Sequence, residues 1–269
     1  MSNYKGITDF TDFTEVSGKP ITEDQLYRMR HRYSWAKELV KKDSIGLELC
    51  CGSGQGLEII SENLDKLYAI DITESLINQA KRNAPDNVVC STEDGITFLE
   101  KSGNTTFDFI IMFECIYYFE SLEKLIKLAK NCLKPGGIIL FTWPNPLKES
   151  FVKCEHTYCY PLLKDIRKFA KGKNENFETK FFGYELSNKK SLLGILKSRL
   201  KTFAVKLNLI PKTQKGRLFL KRIFQGKMIE MPNSVKYLPV EKNSLIELKD
   251  DKELKLKDPL VIYGFIKKN

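Results

Sequence analysis

The sequence is poor in the features that mark several special classes of protein. It holds only two histidines and two tryptophans, and no uninterrupted apolar run approaches the ~18 residues of a membrane-spanning helix. The N-terminus has no charged-then-apolar signal pattern, and the seven cysteines lack the paired spacing of a secreted disulfide scaffold. These absences argue against a membrane-spanning or secreted protein, and we expect a cytoplasmic chain with reduced thiols.

The adjacent cysteines Cys50 and Cys51 do not favour a metal site. Neighbouring side chains of an extended chain point to opposite sides, whereas zinc ligands are usually spaced as C-x2-4-C so that two thiolates can converge. Cys154 and Cys159 flank His156, but no second such group accompanies them. We therefore predict no bound metal.

Charge is distributed unequally along the chain. Residues 1–150 carry 17 Lys and Arg against 22 Asp and Glu, whereas residues 151–269 carry 27 against 12. Such a basic half attracts a small anionic substrate, an acidic lipid surface or a nucleic acid, although a solvated lysine-rich surface is an equally simple interpretation. No RNA-binding module or basic-aromatic stacking pattern is visible, which argues against a nucleic acid partner.

Strand-like and helix-like segments alternate through the first 145 residues, which predicts a doubly wound parallel sheet. A helix over 21–42 is expected to begin at Thr22, because apolar residues then recur every three to four positions. Five strands follow, separated by helices or loops: "SIGLELC", "KLYAID", "NVVCS", "FDFIIMF" and "GGIILFTW". The segment "GLEIISENLD" after the first of them is predicted to be a helix. The fourth strand is apolar on both faces, as a buried parallel strand is.

The alternation ends after residue 145. Residues 160–175 and 189–226 are predicted to be basic helices, and "LVIYGFIKKN" predicts a returning strand. We divide the chain into a core with an N-terminal lid helix (1–145), a basic helical cap inserted after the fifth strand (146–234) and C-terminal strands that complete the sheet (235–269). The amphipathic helix expected at 191–210 could pack as a cap over the active site or contact an anionic membrane surface.

A glycine-rich turn follows the first of these five strands. In "LELCCGSGQG" the pattern is acid-x-x-x-G-x-G-x-G, carried by Glu48, Gly52, Gly54 and Gly56. The dinucleotide and P-loop patterns do not fit, because Leu57 replaces a glycine and no Gly-Lys-Ser/Thr is present. The turn places backbone N–H groups at the carboxyl edge of the sheet, where open α/β sheets bind ligands.

With "AID", "STEDG", "FDFIIMFECIYYF" and "LKPGGIILFTWPN" following in order, residues 20–145 resemble the class I S-adenosylmethionine-dependent methyltransferases. The resemblance implies S-adenosyl-L-methionine as cofactor and an α/β, Rossmann-like, doubly wound, mostly parallel seven-stranded sheet. The N-terminal helix is similar to the lid of members that modify sugars and polysaccharide precursors. The family motif is acid-x-Gly-x-Gly-x-Gly, and Cys50 stands where the first glycine usually lies.

The resemblance also assigns cofactor-binding roles. Glu48 would reach the amino group of the methionine part, and Arg32 and Tyr33 would face its carboxylate. The other expected contacts are Gly52, Ser53 and Gly54 under the ribose and methionine, Asp71 at the ribose hydroxyls, Ile72 against the adenine, Thr92 and Glu93 at the adenine edge, and the Phe113 carbonyl at the amine. Asp71 follows Gly52 by 19 residues, the spacing at which a second-strand carboxylate accepts both ribose hydroxyls.

Methyl transfer from a sulfonium needs an acceptor held in line and, for a hydroxyl, a base that takes its proton. Glu114 is expected in the cleft, and His156, just after the fifth strand, is the predicted base. We expect O-methylation of a small anionic acceptor, such as a nucleotide-linked sugar, a polyol phosphate or another precursor of capsule or surface polysaccharide. The alternatives are a lipid or quinone methyltransferase at the membrane surface and a non-catalytic S-adenosylmethionine-binding protein.

Overall fold

A computed structural model describes residues 7, 9–12, 15–171, 177–184, 228–239 and 245–269. Its strands are β1 (Pro20–Thr22), β2 (Ile45–Leu49), β3 (Lys66–Asp71), β4 (Val88–Thr92), β5 (Phe107–Phe113), β6 (Leu133–Pro144), β7 (Phe177–Tyr184), β8 (Met228–Glu230), β9 (Leu245–Glu247) and β10 (Val261–Lys268). Its helices are α1 (Glu23–Leu39), α2 (Leu57–Ile60), α3 (Glu74–Asn83), α4 (Gly95–Lys101), α5 (Leu122–Cys132), α6 (Leu163–Ala170) and α7 (Asp251–Lys257), with a 3-10 turn at Ile116–Tyr118.

The main sheet has the strand order β4-β3-β2-β5-β6-β10-β7-β9. Strands β2 to β6 run parallel, whereas β10 is antiparallel to both β6 and β7, and β9 is antiparallel to β7. The predicted α/β, Rossmann-like, mostly parallel fold is confirmed. Within the described residues this sheet has eight strands rather than seven, because the short β9 extends it at the β7 edge. β1 and β8 form a separate antiparallel pair.

Helices cover both faces of the sheet, and β5 shows how one strand serves both layers. Phe109 and Ile111 pack with α1, α2 and α3, while the alternating Ile110 and Met112 pack with α4, α5 and α6. Successive side chains of a strand point to opposite faces, so an almost wholly apolar strand is the sequence expected between two helical layers. The predicted burial of this strand is therefore confirmed.

The start of α1 follows the predicted cap. The Thr22 hydroxyl accepts from the Gln25 N–H at 3.3 Å, and the Gln25 side chain accepts from the Thr22 N–H at 3.4 Å. These two bonds satisfy donors that a helix N-terminus otherwise leaves unpaired, and Glu23 and Asp24 add favourable charge in the first turn. Leu26 and Met29 lie on the buried face, as their spacing predicts.

Two helices differ from the sequence expectation. α2 is a single turn, although "GLEIISENLD" was expected to continue as a helix. α4 was not predicted, and its seven residues are too few to show a clear apolar period. Its N-cap is Asp94, whose carboxylate accepts from the Thr97 N–H at 2.8 Å.

The prediction of a helical cap requires segment 146–234 to be helical throughout. The structure shows that it is not. Strand β7 lies inside it and pairs with β10 along eight positions, so this part of the segment belongs to the main sheet. The predicted helices at 189–226, including the amphipathic stretch 191–210, lie outside the described residues. Across the described ranges, no helix is long and apolar enough to cross a membrane, and no cluster of three His, Cys, Asp or Glu side chains is arranged to hold a metal ion.

Candidate active site

A cleft of about 690 Å³ opens at the carboxyl edge of the parallel strands. It lies where the strand order reverses between β2 and β5, the point at which open α/β sheets bind ligands. Of the predicted site residues, the cleft is lined by Arg32, Tyr33, Cys50, Gly52, Asp71, Ile72, Glu93, Phe113, Glu114 and His156. The topology thus gathers residues from α1, four strand ends and one later loop.

The chain leaves both strands at this point through a left-handed backbone conformation. Cys50, directly after β2, has φ 59°, and Glu114, directly after β5, has φ 52°. Such angles are uncommon for residues other than glycine and cluster at functional sites. A glycine is usual at this position because glycine adopts a positive φ without strain. Cys50 keeps the positive φ although it carries a side chain.

Glu48 is a buried carboxylate on β2 with one bonded and one unbonded oxygen among the described residues. Its carboxylate is 2% exposed, and the Tyr33 hydroxyl donates to Oε1 at 2.5 Å. Oε2 has no hydrogen-bond partner within the described part of the chain. Burial raises the pKa of Glu48 to about 7, against the opposing effects of the Tyr33 bond and the Arg32 charge. An ammonium group placed at Oε2 would satisfy the free oxygen and favour the ionised carboxylate.

Arg32 supplies a fixed positive charge beside this carboxylate. One guanidinium nitrogen lies 3.4 Å from Glu15, whereas Nε has no partner among the residues that the structure describes. Burial alone would lower the pKa of Arg32, but the charges of Glu15 and Glu114 outweigh it and raise the pKa. Arg32 therefore stays charged, with a donor left for an anionic group.

Asp71 braces the glycine loop from the end of β3. Its carboxylate accepts from the Gly52 N–H at 3.0 Å and from the Thr73 N–H at 2.9 Å. Burial raises its pKa, and these two bonds oppose that shift. Ile72 lines the cleft next to it. The carboxylate therefore holds the loop in place as well as bordering the space where a ribose would lie.

The middle of the loop has a packing role that the sequence did not indicate. The Ser53 hydroxyl is fully buried and accepts from the Ser17 N–H at 3.1 Å, on the side of the N-terminal segment. Gly54 has φ 84°, and a Cβ there would come within 2.9 Å of Ala80 on α3. Gly54 is thus required for loop-to-helix packing. Neither it nor Ser53 lines the cleft.

The two candidates at the adenine edge are separated by the structure. Glu93 lines the cleft, and its side chain forms an ion pair with Lys101. Thr92 is exposed at the end of β4 and is absent from the cleft lining. Side chains of successive residues in an extended chain point to opposite sides. Thr92, the last residue of β4, and Glu93, which follows it, therefore cannot both face the cleft.

Glu114, directly after β5, is a buried carboxylate that lines the cleft. Its N–H donates to the Thr142 carbonyl oxygen at 3.0 Å, and the Tyr117 hydroxyl donates to Oε2 at 3.3 Å. Oε1 is buried with no hydrogen-bond partner in the described ranges. Burial raises the pKa of Glu114, and the Arg32 charge opposes the rise. We call this region, lined by Arg28, Glu114, Tyr117, His156 and Tyr263, the acceptor end.

Three residues of functional interest were missed or misplaced by sequence reasoning. Arg28 receives no role from the sequence patterns but lines the cleft. His31 likewise receives no role from the sequence patterns but is 8% exposed, with Nδ1 3.0 Å from the Tyr263 hydroxyl. Tyr263 was predicted only as a strand residue, yet it also lines the cleft. The alternating pattern of β10 could not have shown that Tyr263 lines the cleft. Alternation predicts on which face of the sheet a side chain lies, but not which element or cleft that face meets.

Comparison with known proteins decides the family. Residues 22–170, more than half of the chain, match the family model described as a methyltransferase domain. The chain belongs to this methyltransferase family. This confirms the resemblance to S-adenosylmethionine-dependent methyltransferases and the cofactor that it implies.

Two curated relatives and one solved structure set the range of similarity. The chain is 30% identical over 112 residues to a ubiquinone biosynthesis O-methyltransferase of Colwellia psychrerythraea, covering 39% of this chain and 44% of the relative. It is 24% identical over 141 residues to a malonyl-[acyl-carrier protein] O-methyltransferase of Paenibacillus, covering 46% and 51%. The chain thus spans about half the length of these relatives. A methyltransferase structure from Archaeoglobus fulgidus has a TM-score of 0.54 at 17% identity, over 91% of this chain and 94% of the other.

The residues present fit S-adenosylmethionine. Among the described residues, Arg32 Nε and Glu48 Oε2 have no hydrogen-bond partner; Arg32 lines the cleft, and Glu48 lies behind the cleft-lining Tyr33, whose hydroxyl it accepts from. These two atoms are complementary to the ammonium and carboxylate groups of its methionine part. Asp71 stands across the glycine loop, where the ribose hydroxyls would need an acceptor. When bound, the cofactor supplies an electrophilic methyl group on a sulfonium.

Proposed function

We propose that the protein transfers the methyl group of S-adenosylmethionine to a hydroxyl of a small anionic acceptor. The observation that carries the proposal is Arg28, a guanidinium that lines the acceptor end and whose charge also acts on Glu114. A guanidinium in a partly buried cleft is suited to bind a phosphate or carboxylate through paired hydrogen bonds. Nucleotide-linked sugars, polyol phosphates and other surface-polysaccharide precursors have this chemistry.

Glu114 is proposed to orient the acceptor. Its Oε1, which has no hydrogen-bond partner among the described residues, can accept from a second hydroxyl beside the reacting one, while the Tyr117 bond and the backbone bond to Thr142 fix its position. His156 lines the same end from the loop after β6, and its predicted role as the base is tested together with the inference below. The basic segment 161–230, with 18 Lys and Arg against 5 Asp and Glu, adds attraction for an anion. We further propose a reducing cytoplasmic setting, in keeping with seven free cysteines.

The test is a screen for S-adenosylhomocysteine release with anionic acceptors and their uncharged analogues. For the acceptor that is methylated, Arg28→Gln should raise KM about 10- to 100-fold, because a charge-assisted bond contributes about 1.5–3 kcal/mol. Arg82→Gln, which removes an exposed arginine on α3, is the matched control and should leave KM unchanged. Equal turnover of charged and uncharged acceptors, or an unchanged KM in Arg28→Gln, would contradict the proposal.

A hydroxylated aromatic acceptor is a second candidate. Tyr117 and Tyr118 line the cleft, with Tyr117 stacked on Tyr160 at 4.7 Å and Phe10 edge-on to Tyr118 at 5.2 Å. Such a wall suits a planar ring, and one relative acts in ubiquinone biosynthesis. Quinone precursors in the same screen, with liposome co-sedimentation to detect binding at a membrane surface, distinguish this candidate from the first.

A further inference from the structure

The two histidines of the chain stand in different environments. His156 is half-buried in the loop that follows β6. His31 is buried inside α1, and its ring packs edge-on against Tyr184 at 4.7 Å and against Tyr263 at 5.6 Å. A titratable ring held among aromatic side chains beside a ligand cleft is a candidate for a role in proton transfer.

Tyr263 connects His31 to the cleft. It lines the acceptor end on one side, and its hydroxyl lies 3.0 Å from His31 Nδ1 on the other. Its ring is fixed by stacking on Tyr184 at 6.0 Å and by an edge contact with Trp35 at 5.1 Å. The hydroxyl therefore contacts the histidine, and the residue that carries it borders the cleft.

The charges around this hydroxyl come from several elements. Arg28 and Arg32 face it from α1, Tyr184 from β7, and Glu114 from the loop after β5. Burial, opposed by Arg32, raises the pKa of Tyr263. Tyr263 consequently keeps its proton at neutral pH, and it can pass a proton on only while receiving another.

We propose that the acceptor's proton leaves through Tyr263 to His31, so that His31 rather than His156 is the final base. This rests on the proposed O-methylation. The acceptor oxygen bonds to the methyl carbon as the carbon–sulfur bond breaks and its electron pair goes to sulfur. The acceptor proton moves to Tyr263 Oη while the Tyr263 proton moves to His31 Nδ1, so the positive charge of the sulfonium ends on the imidazolium. Tyr263 touches the acceptor, and His31 acts through it.

Four proteins test the relay: the unaltered chain, Tyr263→Phe, His31→Asn and His156→Asn. Phenylalanine keeps the packed ring, and asparagine keeps an acceptor near the Nδ1 position without a basic nitrogen. We expect kcat to fall about 100-fold in Tyr263→Phe and His31→Asn, the range of general-base contributions. The S-adenosylmethionine Kd should stay within about twofold, which also shows that the variants fold.

The pH profile separates the two histidines. We expect kcat/KM of the unaltered chain and of His156→Asn to fall at acidic pH, and this acidic limb to disappear in His31→Asn. Loss of the limb in His156→Asn, or its persistence in His31→Asn, would overturn the relay. Failure of the anionic-acceptor proposal would appear instead as an unchanged KM in Arg28→Gln, so the two failures are distinguishable.

A measurement without turnover completes the test. With ¹⁵N-labelled histidine and S-adenosylhomocysteine bound, only two imidazoles contribute to the spectrum. Tyr263→Phe should shift the Nδ1 resonance of His31 and leave that of His156 unchanged. An unshifted His31 Nδ1 resonance would show that the hydroxyl does not bond to it, which would overturn the relay whatever the acceptor.

Discussion

Glu48 makes the stability of the free protein depend on pH in a direction opposite to that of most carboxylates. Its pKa is about 7 in the folded chain, mainly because of burial, against an ordinary value of 4.5. Between these values the folded state binds more protons than the unfolded state, so stability falls as pH rises. A difference of about 2.5 pKa units at 1.36 kcal/mol each gives a loss of about 3 kcal/mol that is complete above pH 8.

The variant Glu48→Gln isolates this contribution. Glutamine keeps an oxygen that can accept from the Tyr33 hydroxyl but carries no charge to desolvate. We expect the variant to be up to about 3 kcal/mol more stable than the unaltered chain at pH 8.5 and nearly equal to it at pH 4. Urea unfolding across this pH range measures the difference, and Glu123→Gln, an exposed carboxylate on α5, is the matched control.

Cofactor binding should be coupled to the same proton. An ammonium near Oε2 favours the ionised carboxylate, so S-adenosylmethionine should bind with release of about one proton at pH 6 and almost none at pH 8.5. Calorimetry in two buffers of different ionisation enthalpy measures this release, which Glu48→Gln should abolish. Stability profiles that run parallel in the two proteins would refute the reasoning, because Glu48 would then titrate as an ordinary surface carboxylate.

Three further predictions concern the glycine loop and the lid helix. Cys50→Val should destabilise the chain by about 2 kcal/mol, because a β-branched residue resists φ 59°. Cys50→Gly should leave the S-adenosylmethionine Kd unchanged. A tenfold change in this Kd would show that the thiol shifts the cofactor. Gly54→Ala should reduce the free energy of unfolding by about 1–3 kcal/mol more than Gly103→Ala does. Both glycines have positive φ, but only at Gly54 would the added Cβ come within 2.9 Å of a neighbour, Ala80. Equal losses of stability in thermal unfolding would exclude a packing role for Gly54. Thr22→Ala should cost about 1 kcal/mol by removing the cap of α1, and Thr22→Ser should restore it.

The position of the glycine loop at the edge of the sheet was predictable because its signals are local. Glu48, Gly52 and Asp71 lie at the ends of consecutive parallel strands, and parallel strands bring their carboxyl ends to one edge. Register along the chain was therefore enough to place them together. The same argument failed for Ser53 and Gly54, because a turn's glycines can serve a ligand or a neighbouring helix, and only the packing against Ala80 decides which.

The acceptor half depended on contacts between distant parts of the sequence. His31 and Tyr263 are 232 residues apart, and His31 does not share the apolar spacing that marks the buried face of α1. It is buried because β10 and β7 bring Tyr263 and Tyr184 against a second face of the helix. Periodicity along one segment contains no information about that second contact.

The sequence by itself determined the α/β architecture and the position of the cofactor loop, since strand periodicity, helix caps and the glycine register act over a few residues. The tertiary structure alone decided which buried polar atoms have no partner among the described residues. These atoms are Glu48 Oε2, Arg32 Nε and Glu114 Oε1, while Tyr33, Glu15 and Tyr117 bond to the other atoms of the same groups. Those pairings arise when separate elements pack together, and they leave a cleft that is complementary to a charged ligand.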